Sequence, residues 1–126
     1  VDTNFNGMTA SWGGLGCWNK PVAFILVHPK RHTFLFIERE DYFTLSFFDK
    51  KYRPALELFG TKSGRDLDKT KAAGLTAISV SNSVAYAEAN LILLCKKRFS
   101  TPTSKDNPSD SHTLYFGDIV SVWKRQ

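Results

Sequence analysis

A chain of 126 residues is long enough for one domain with a hydrophobic core and short for two, so we expect a single domain over residues 1–126. Its hydrophobic content of 42% and aromatic content of 13% are typical of a folded globular protein and argue against an intrinsically disordered one. The formal charge of +5 suits an anionic ligand, an acidic partner or nucleic acid, and equally an ordinary solvated basic surface.

The first notable stretch is a run of small and hydroxyl residues beside glycines, from Asn6 to Gly16. Such a run lets a ligand approach the main chain closely, and we interpret it as a ligand-cradling turn between two strands. The same composition is typical of ordinary loops, so a plain loop remains the alternative.

A continuous apolar segment follows, from Pro21 to Val27, and it predicts a buried strand that Pro29 ends. From Thr33 to Glu40 the apolar residues recur on one side, which predicts about two turns of helix with Thr33 as the N-cap. Arg31 and Thr33 would then lie at a helix N-terminus.

The aromatic segment Tyr42 to Phe48 predicts a further strand. Asp49 can cap a helix that runs through Leu58, with Gly60 as its stop. We therefore expect a helix directly after this strand.

The segment Ser63 to Asp66 resembles a capping box with an Asp in the place of the usual Glu or Gln. It predicts the start of a short helix that ends at Gly74. Two short helices would thus separate the strands.

In the last third of the chain, alternating residues from Val84 to Cys95 predict one long strand. Residues Ser100 to Ser111 are rich in Ser, Thr, Pro, Asp and Lys, which predicts a mobile surface loop. The segment His112 to Trp123 predicts the last strand, with a bulge or bend at Gly117. Long strands with few helices indicate a mainly β fold, a small barrel with short helical insertions.

The cysteines and the apolar runs bear on the cellular setting. Cys17 and Cys95 are far apart and form no C-x-x-C pair, and the chain has no signal-peptide pattern. We therefore expect a reduced, cytoplasmic setting. The longest apolar runs are too short to span a bilayer.

Blocks of residues in a characteristic order cover most of the chain. They are Asn6-x-Met8-Thr9-x-Ser11-Trp12-Gly13, Trp18-x-Lys20-Pro21, Pro29-x-Arg31-x-Thr33, Tyr42 to Phe48, Gly60 to Lys69, Ala73 to Thr76, Glu88-Ala89, Cys95-x-Lys97 and Tyr115-x-Gly117-Asp118-Ile119 with Trp123. In this order they resemble the flavin reductase-like family of FMN-binding split β-barrels, which includes the flavoredoxins.

The resemblance implies a fold, a cofactor and an activity. The fold would be a Greek-key-like split β-barrel, whose first strand we expect to be missing from the start of this chain. FMN would be the cofactor, NADH or NADPH the reductant, and a flavin or another electron acceptor the onward partner. Members of the family are homodimers, and the resemblance implies neither a nucleic acid nor a membrane as a partner. Because hydride transfer between stacked rings needs no acid or base from the protein, we expect no catalytic side chain.

The resemblance also implies positions for the cofactor. Arg31 and Thr33 would contact the phosphate, for which a planar guanidinium and the amides of a helix start are suited. The ring would lie against the turn over Asn6 to Gly16, and other family positions near the cofactor fall in the middle of the chain. The ring residues are Met8, Thr9, Ser11 and Trp12, and the others are Ser46, Ser63, Gly64 and Lys69.

Each of these positions also has an ordinary structural interpretation. Thr33 could simply cap its helix beside a solvated Arg31, Ser63 could be an N-cap, and Lys69 a surface lysine that pairs with Asp66. Trp12 could pack in the core or at a dimer interface. All of these alternatives remain open at the level of sequence.

The chain departs from the family at two histidines. His28 stands where a second Arg is common in the family, and His32 stands where Tyr is usual. Both departures affect the side chains expected around the phosphate.

The sequence also permits two other functions. One is a small basic barrel that binds single-stranded nucleic acid on aromatic platforms. The other is a flavin-binding protein without reductase activity.

Overall fold

The computed structural model of the chain describes residues 5–107 and 110–125, without the side chain of Trp18. Along this part run seven strands and three α-helices, with a 3₁₀ turn over Lys50–Tyr52. The strands are β1 (Gly13–Trp18), β2 (Lys20–Val27), β3 (Tyr42–Phe47), β4 (Ala77–Val80), β5 (Ser83–Tyr86), β6 (Leu91–Pro102) and β7 (Thr113–Lys124). The helices are α1 (His32–Arg39), α2 (Arg53–Thr61) and α3 (Lys69–Ala73).

Five strands form one antiparallel sheet in the order β1-β2-β7-β6-β3, and β4 and β5 form a separate hairpin. Within the described residues the hydrogen-bonded ladder ends at β1 on one side and at β3 on the other. The prediction of a mainly β fold with short helical insertions is therefore confirmed.

Helix α1 lies against the main core of the sheet. The core consists of buried residues from α1 and four strands, namely Ala23, Val27, Ile37, Phe43, Leu93, Cys95 and Tyr115. Two polar contacts hold the end of α1 in place: the Tyr115 hydroxyl donates to Glu38 Oε1 at 2.7 Å, and Lys97 Nζ donates to the Ile37 carbonyl at 2.6 Å. Because a helix is stiff, these contacts also fix its N-terminal end.

A second core lies beneath α2, with Ala55, Phe59, Leu75 and Tyr86 buried together. The β4–β5 hairpin is tied to β3 by two hydroxyl groups. Thr44 Oγ1 donates to the Val84 carbonyl, and Ser83 Oγ donates to the Tyr42 carbonyl at 2.8 Å. Sheet, hairpin and helices therefore enclose a common space.

The predicted turn over Asn6 to Gly16 is wrong in its second half, since Gly13–Trp18 is strand β1. The strand pairs with β2 and turns back at Asn19, whose φ is +70°. A Cβ at Gly13 would lie 2.6 Å from the Phe24 carbonyl oxygen, and one at Gly14 would lie 2.8 Å from the Phe24 ring. These glycines allow close packing against β2, which the composition alone does not distinguish from a ligand-binding turn.

The helix starts also differ from the prediction. Arg31 is the N-cap position of α1, so Thr33 lies inside the first turn and is not the cap. Asp49 caps the 3₁₀ turn by accepting from the Lys50 amide, and α2 begins only at Arg53, before a proline suited to a first turn. It then runs through Gly60, which is not its stop.

The third helix is shorter than predicted at its start. Ser63 begins a turn, whereas Asp68 caps α3 by accepting from the Lys71 amide at 3.2 Å. The predicted end at Gly74 is confirmed, because Gly74 has a φ of +72° and adopts the left-handed conformation typical of a helix end.

The predicted single strand from Val84 to Cys95 is wrong, because a turn in which the Ala89 amide donates to the Tyr86 carbonyl separates β5 from β6. Strand β6 extends to Pro102, so the connection to β7 is shorter than predicted; residues 108 and 109 lie outside the described part. Gly117 pairs with Lys97, and the β6–β7 register shifts directly after Lys97, before Phe99, and again between Leu94 and Cys95, where β7 has the extra residue. No helix in the described residues is long and apolar enough to cross a membrane.

Candidate functional site

The enclosed space is a cavity of about 440 Å³ between α1, α2, β3, the β4–β5 hairpin and residues 5–10. Aromatic side chains dominate its wall: Phe36, Phe43, Phe47, Phe48 and Phe59. A volume of this size lies in the usual range for small-molecule and cofactor sites, which are mostly apolar with a few polar groups.

Four of the ten predicted site residues line this cavity: Met8, Thr9, Thr33 and Ser46. Met8 packs against the main core, and Thr9 Oγ1 donates to the Leu56 carbonyl. Ser46 Oγ is buried in the wall without a hydrogen-bond partner. Such an orphaned hydroxyl is costly in an apolar surrounding, and a bound ligand can satisfy it.

Asn6 joins three parts of the chain at one end of the cavity. Its Nδ2 donates to Thr33 Oγ1 at 2.7 Å. Its Oδ1 lies so near Gly64 that a Cβ on that glycine would be only 2.1 Å away. Asn6 also lines a small void of about 10 Å³ with Lys69, which does not itself line the main cavity.

Lys69 is a buried cation. Its residue is 4% exposed, and its Nζ donates to the Phe59 carbonyl at 3.3 Å and lies 5.2 Å from the centre of the Phe59 ring. No carboxylate of the described chain forms an ion pair with it. Burial and, secondly, the nearby charge of Arg31 lower the pKa of Lys69 to about 8. The interpretation of Lys69 as a surface lysine paired with Asp66 is therefore wrong.

The turn that carries Arg31 is fixed by its neighbours. The Arg31 amide donates to the His28 carbonyl at 2.9 Å, and Arg65 Nη1 donates to the Lys30 carbonyl at 2.8 Å. Ser63 Oγ accepts from the Arg65 amide at 3.1 Å, so this hydroxyl shapes its own turn. Of the predicted residues Arg31, Thr33, Ser63, Gly64 and Lys69, only Thr33 lines the main cavity, and Asn6 connects it to Gly64 and to the small void that Lys69 lines.

Ser11 and Trp12 do not line the cavity. Trp12 is 65% exposed, so the alternative that it packs in the core of this chain is wrong. The Leu26 amide donates to the Trp12 carbonyl at 3.1 Å, which continues the β1–β2 ladder by one residue. Both residues therefore lie beside the end of β2, from which the chain leads directly to the Arg31 turn.

Asn6 is not among the site residues predicted from the sequence. An Asn followed by Gly is a common turn signal, and this signal does not indicate that the Asn6 side chain bonds to Thr33, 27 positions away.

In the described residues Cys17 is exposed, Cys95 is buried, and neither forms a disulfide. No group of three or more His, Cys, Asp or Glu in that part could hold a metal ion.

Comparisons with known proteins bear on this arrangement. The family model of the flavin reductase like domain matches residues 1–126. No curated protein sequence matches the chain.

Solved structures share the fold at low sequence identity. The flavoredoxin of Desulfovibrio vulgaris (Miyazaki F) is 23% identical with a TM-score of 0.83, over 96% of this chain and 62% of its own. The nitrilotriacetate monooxygenase component B from Bacillus cereus is 20% identical with a TM-score of 0.84, over 96% of this chain and 63% of its own. An NADH:FAD oxidoreductase from Streptomyces globisporus is 16% identical with a TM-score of 0.79, over 95% and 68%.

The chain thus spans about three-fifths of the length of the first two structures. Since the family model covers it from the first residue to the last, the chain belongs to the flavin reductase-like family.

Proposed function

We propose that this chain binds FMN and acts as an NAD(P)H-dependent, flavin reductase-like oxidoreductase. Family membership supports a flavin-related redox function. The observation that carries the proposal is the buried Lys69, which is within the electrostatic influence of Arg31 and has no carboxylate partner in the described chain. It lines a small void that shares Asn6 and Phe59 with the lining of the apolar cavity. A buried cation without a partner is costly, and a dianionic phosphate would offset that cost.

The charged and polar residues of this region fit a phosphate monoester. Arg31 offers a planar guanidinium and Lys69 an ammonium, and both donate to phosphate oxygens readily. Thr33 adds a hydroxyl in the first turn of α1, where the helix dipole favours an anion. Gly64 allows Asn6 to approach the 63–66 turn closely, because a Cβ there would lie 2.1 Å from Asn6 Oδ1.

The remainder of the cavity fits the flat, largely apolar ring system of a flavin. Phenylalanines from α1, α2 and β3 supply apolar faces, and the Ser46 hydroxyl supplies a polar group in the wall. Met8 and Thr9 border the same space. Ser11 and Trp12, at the end of β2, would serve only a part of the cofactor that extends out of the cavity.

A flavin bound here would supply the redox chemistry, taking a hydride from NADH or NADPH and passing electrons to free flavin or another acceptor. The side chains of the protein bind the phosphate, orient the ring and keep water from it. None has to move a proton. A second copy of the chain is the proposed partner in a homodimer, as in the family.

Two measurements test the proposal. Titration of the purified protein with FMN, followed by the quenching of flavin fluorescence, gives the affinity, and anaerobic addition of NADH or NADPH shows whether bound flavin is bleached. We expect binding and bleaching in the wild type, and at least tenfold weaker binding in Arg31→Met, because a charge-assisted hydrogen bond is lost. Arg53→Met is the matched control, since Arg53 pairs with Glu57 on the surface of α2.

The outcomes separate the candidate functions. Binding without bleaching would indicate a flavin-binding protein that is not a reductase. A protein that takes up no FMN but binds oligonucleotides with a steep salt dependence would contradict the proposal in favour of the nucleic-acid alternative. The buried position of Lys69 does not favour that alternative, which needs cations along an open groove.

A further inference from the structure

The hydrogen bond between Asn6 and Thr33 has a direction. An amide NH₂ group can only donate, so the Thr33 oxygen accepts at 2.7 Å and its own hydrogen is not used in this bond. In the described residues no carbonyl or carboxylate accepts that hydrogen. Because Thr33 lines the cavity, the hydrogen is available to a group at that end.

The other end of the Asn6 amide is closely packed. Its Oδ1 is packed at Gly64, where even a methyl group would lie 2.1 Å away. The next residue, Gly7, lies against Tyr86, whose hydroxyl oxygen would be 2.6 Å from a Cβ at that position. The segment that carries Asn6 is therefore held between the 63–66 turn and the second core.

We propose that Asn6 is a positioning residue for the anion: by donating to Thr33 Oγ1, it reserves the Thr33 hydroxyl hydrogen for the oxygen of a phosphate monoester. This inference rests on the proposed function. A phosphate dianion only accepts hydrogen bonds, so a threonine whose hydrogen is already committed elsewhere would repel it. Asn6 keeps the hydroxyl in the donating orientation without touching the anion itself.

The test compares FMN with riboflavin, which has the same ring and no phosphate, in wild type and four variants. Asn6→Asp should accept the Thr33 hydrogen and add a negative charge, and we expect the Kd for FMN to rise about 100-fold or more. Asn6→Ala and Thr33→Val should each raise it by about tenfold. In all three the affinity for riboflavin should change by less than about threefold. Asn107→Asp, at an exposed residue of the β6–β7 connection that does not line the cavity, is the matched control and should leave the ratio of the two affinities unchanged.

The double variant with Asn6→Ala and Thr33→Val provides the decisive comparison. If Asn6 acts through Thr33, the double variant should bind FMN no more weakly than Thr33→Val alone. Additive losses, or equal losses for riboflavin and FMN, would overturn the inference. A wild type that binds neither flavin refutes the proposed function, whereas normal FMN binding by the Asn6 variants refutes only this inference. Thermal unfolding of each variant shows that the comparison is made on folded protein.

Discussion

Lys69 is buried within the electrostatic influence of Arg31, and burial and, secondly, that positive charge lower the pKa of the lysine to about 8. The two residues come from different elements, the N-cap of α1 and the start of α3. Burying a cation within the influence of a second one costs stability, and an anion bound near both would offset that cost.

The affinity for FMN should depend on pH because Lys69 loses its proton near pH 8 in the free protein. A phosphate monoester is a dianion above about pH 7, and it favours the charged lysine. Binding should therefore be nearly constant from about pH 7 to 8 and weaken by up to about tenfold for each further pH unit. Fluorescence titrations with FMN and riboflavin at several pH values measure this. A parallel change for riboflavin would show that the effect does not arise at the phosphate.

Replacement of Lys69 by methionine should stabilise the ligand-free protein and weaken FMN binding at the same time. The pKa of Lys69 is lower in the folded than in the unfolded chain, so the unfolded chain binds more protons between about pH 8 and 10. Burial of the charged lysine therefore lowers the free energy of unfolding by its full amount below pH 8, and this loss disappears as the pH rises towards 10.

We expect Lys69→Met to raise the free energy of unfolding at pH 7 by about 1–3 kcal/mol, with a smaller gain at pH 10. Urea denaturation at both values measures the difference. Lys71→Met, on the exposed side of the same helix, should change neither stability nor affinity. A destabilised Lys69→Met protein would show that the Phe59 carbonyl and ring already compensate the charge.

Ser46→Ala tests the orphaned hydroxyl in the cavity wall. Without ligand the free energy of unfolding should stay the same or rise by up to about 1 kcal/mol, because a buried polar group without a partner is removed. With ligand, the affinities for FMN and riboflavin should fall together, by about three- to tenfold, since in the proposed binding mode the hydroxyl would contact the ring and not the phosphate.

The control for Ser46 is Thr44→Val, two residues earlier on the same strand. The Thr44 hydroxyl donates to the Val84 carbonyl, so its loss should cost about 1 kcal/mol of stability. If Ser46→Ala instead destabilises the free protein as much as Thr44→Val does, the hydroxyl has a partner within the protein and no ligand is needed to satisfy it.

Gly64→Ala should weaken FMN binding by about tenfold, because the new methyl group would displace the Asn6 amide from its position. Gly74→Ala is a useful contrast. A Cβ at Gly74 meets nothing within 4 Å, but its φ of +72° makes any side chain unfavourable, so stability should fall by about 1 kcal/mol with no change in affinity. Unfolding curves and titrations on both variants distinguish a lost contact from a strained backbone.

The family, the mainly β fold and the approximate places of the helices could be predicted from the sequence. The end of α3 at Gly74 was predictable for a local reason, since glycine tolerates a left-handed conformation there. Helix starts were less predictable, because Thr33 offers an N-cap signal although its hydroxyl accepts a hydrogen bond from Asn6 instead. The glycines of β1 predict a ligand-binding turn for a similar reason. Their pairing with β2 depends on the folded structure, and the local composition gives no sign of it.

The sequence by itself determined the residue types of the site, through local patterns such as Arg31-x-Thr33 and the order of the blocks along the chain. Only the tertiary structure decided which of these residues meet. It placed Thr33 in the wall of a cavity, buried Lys69, left Trp12 exposed and connected Thr33 to Gly64 through Asn6. The physical reason is that burial and charge proximity depend on how the helices and strands pack, and packing joins positions that are far apart in the chain.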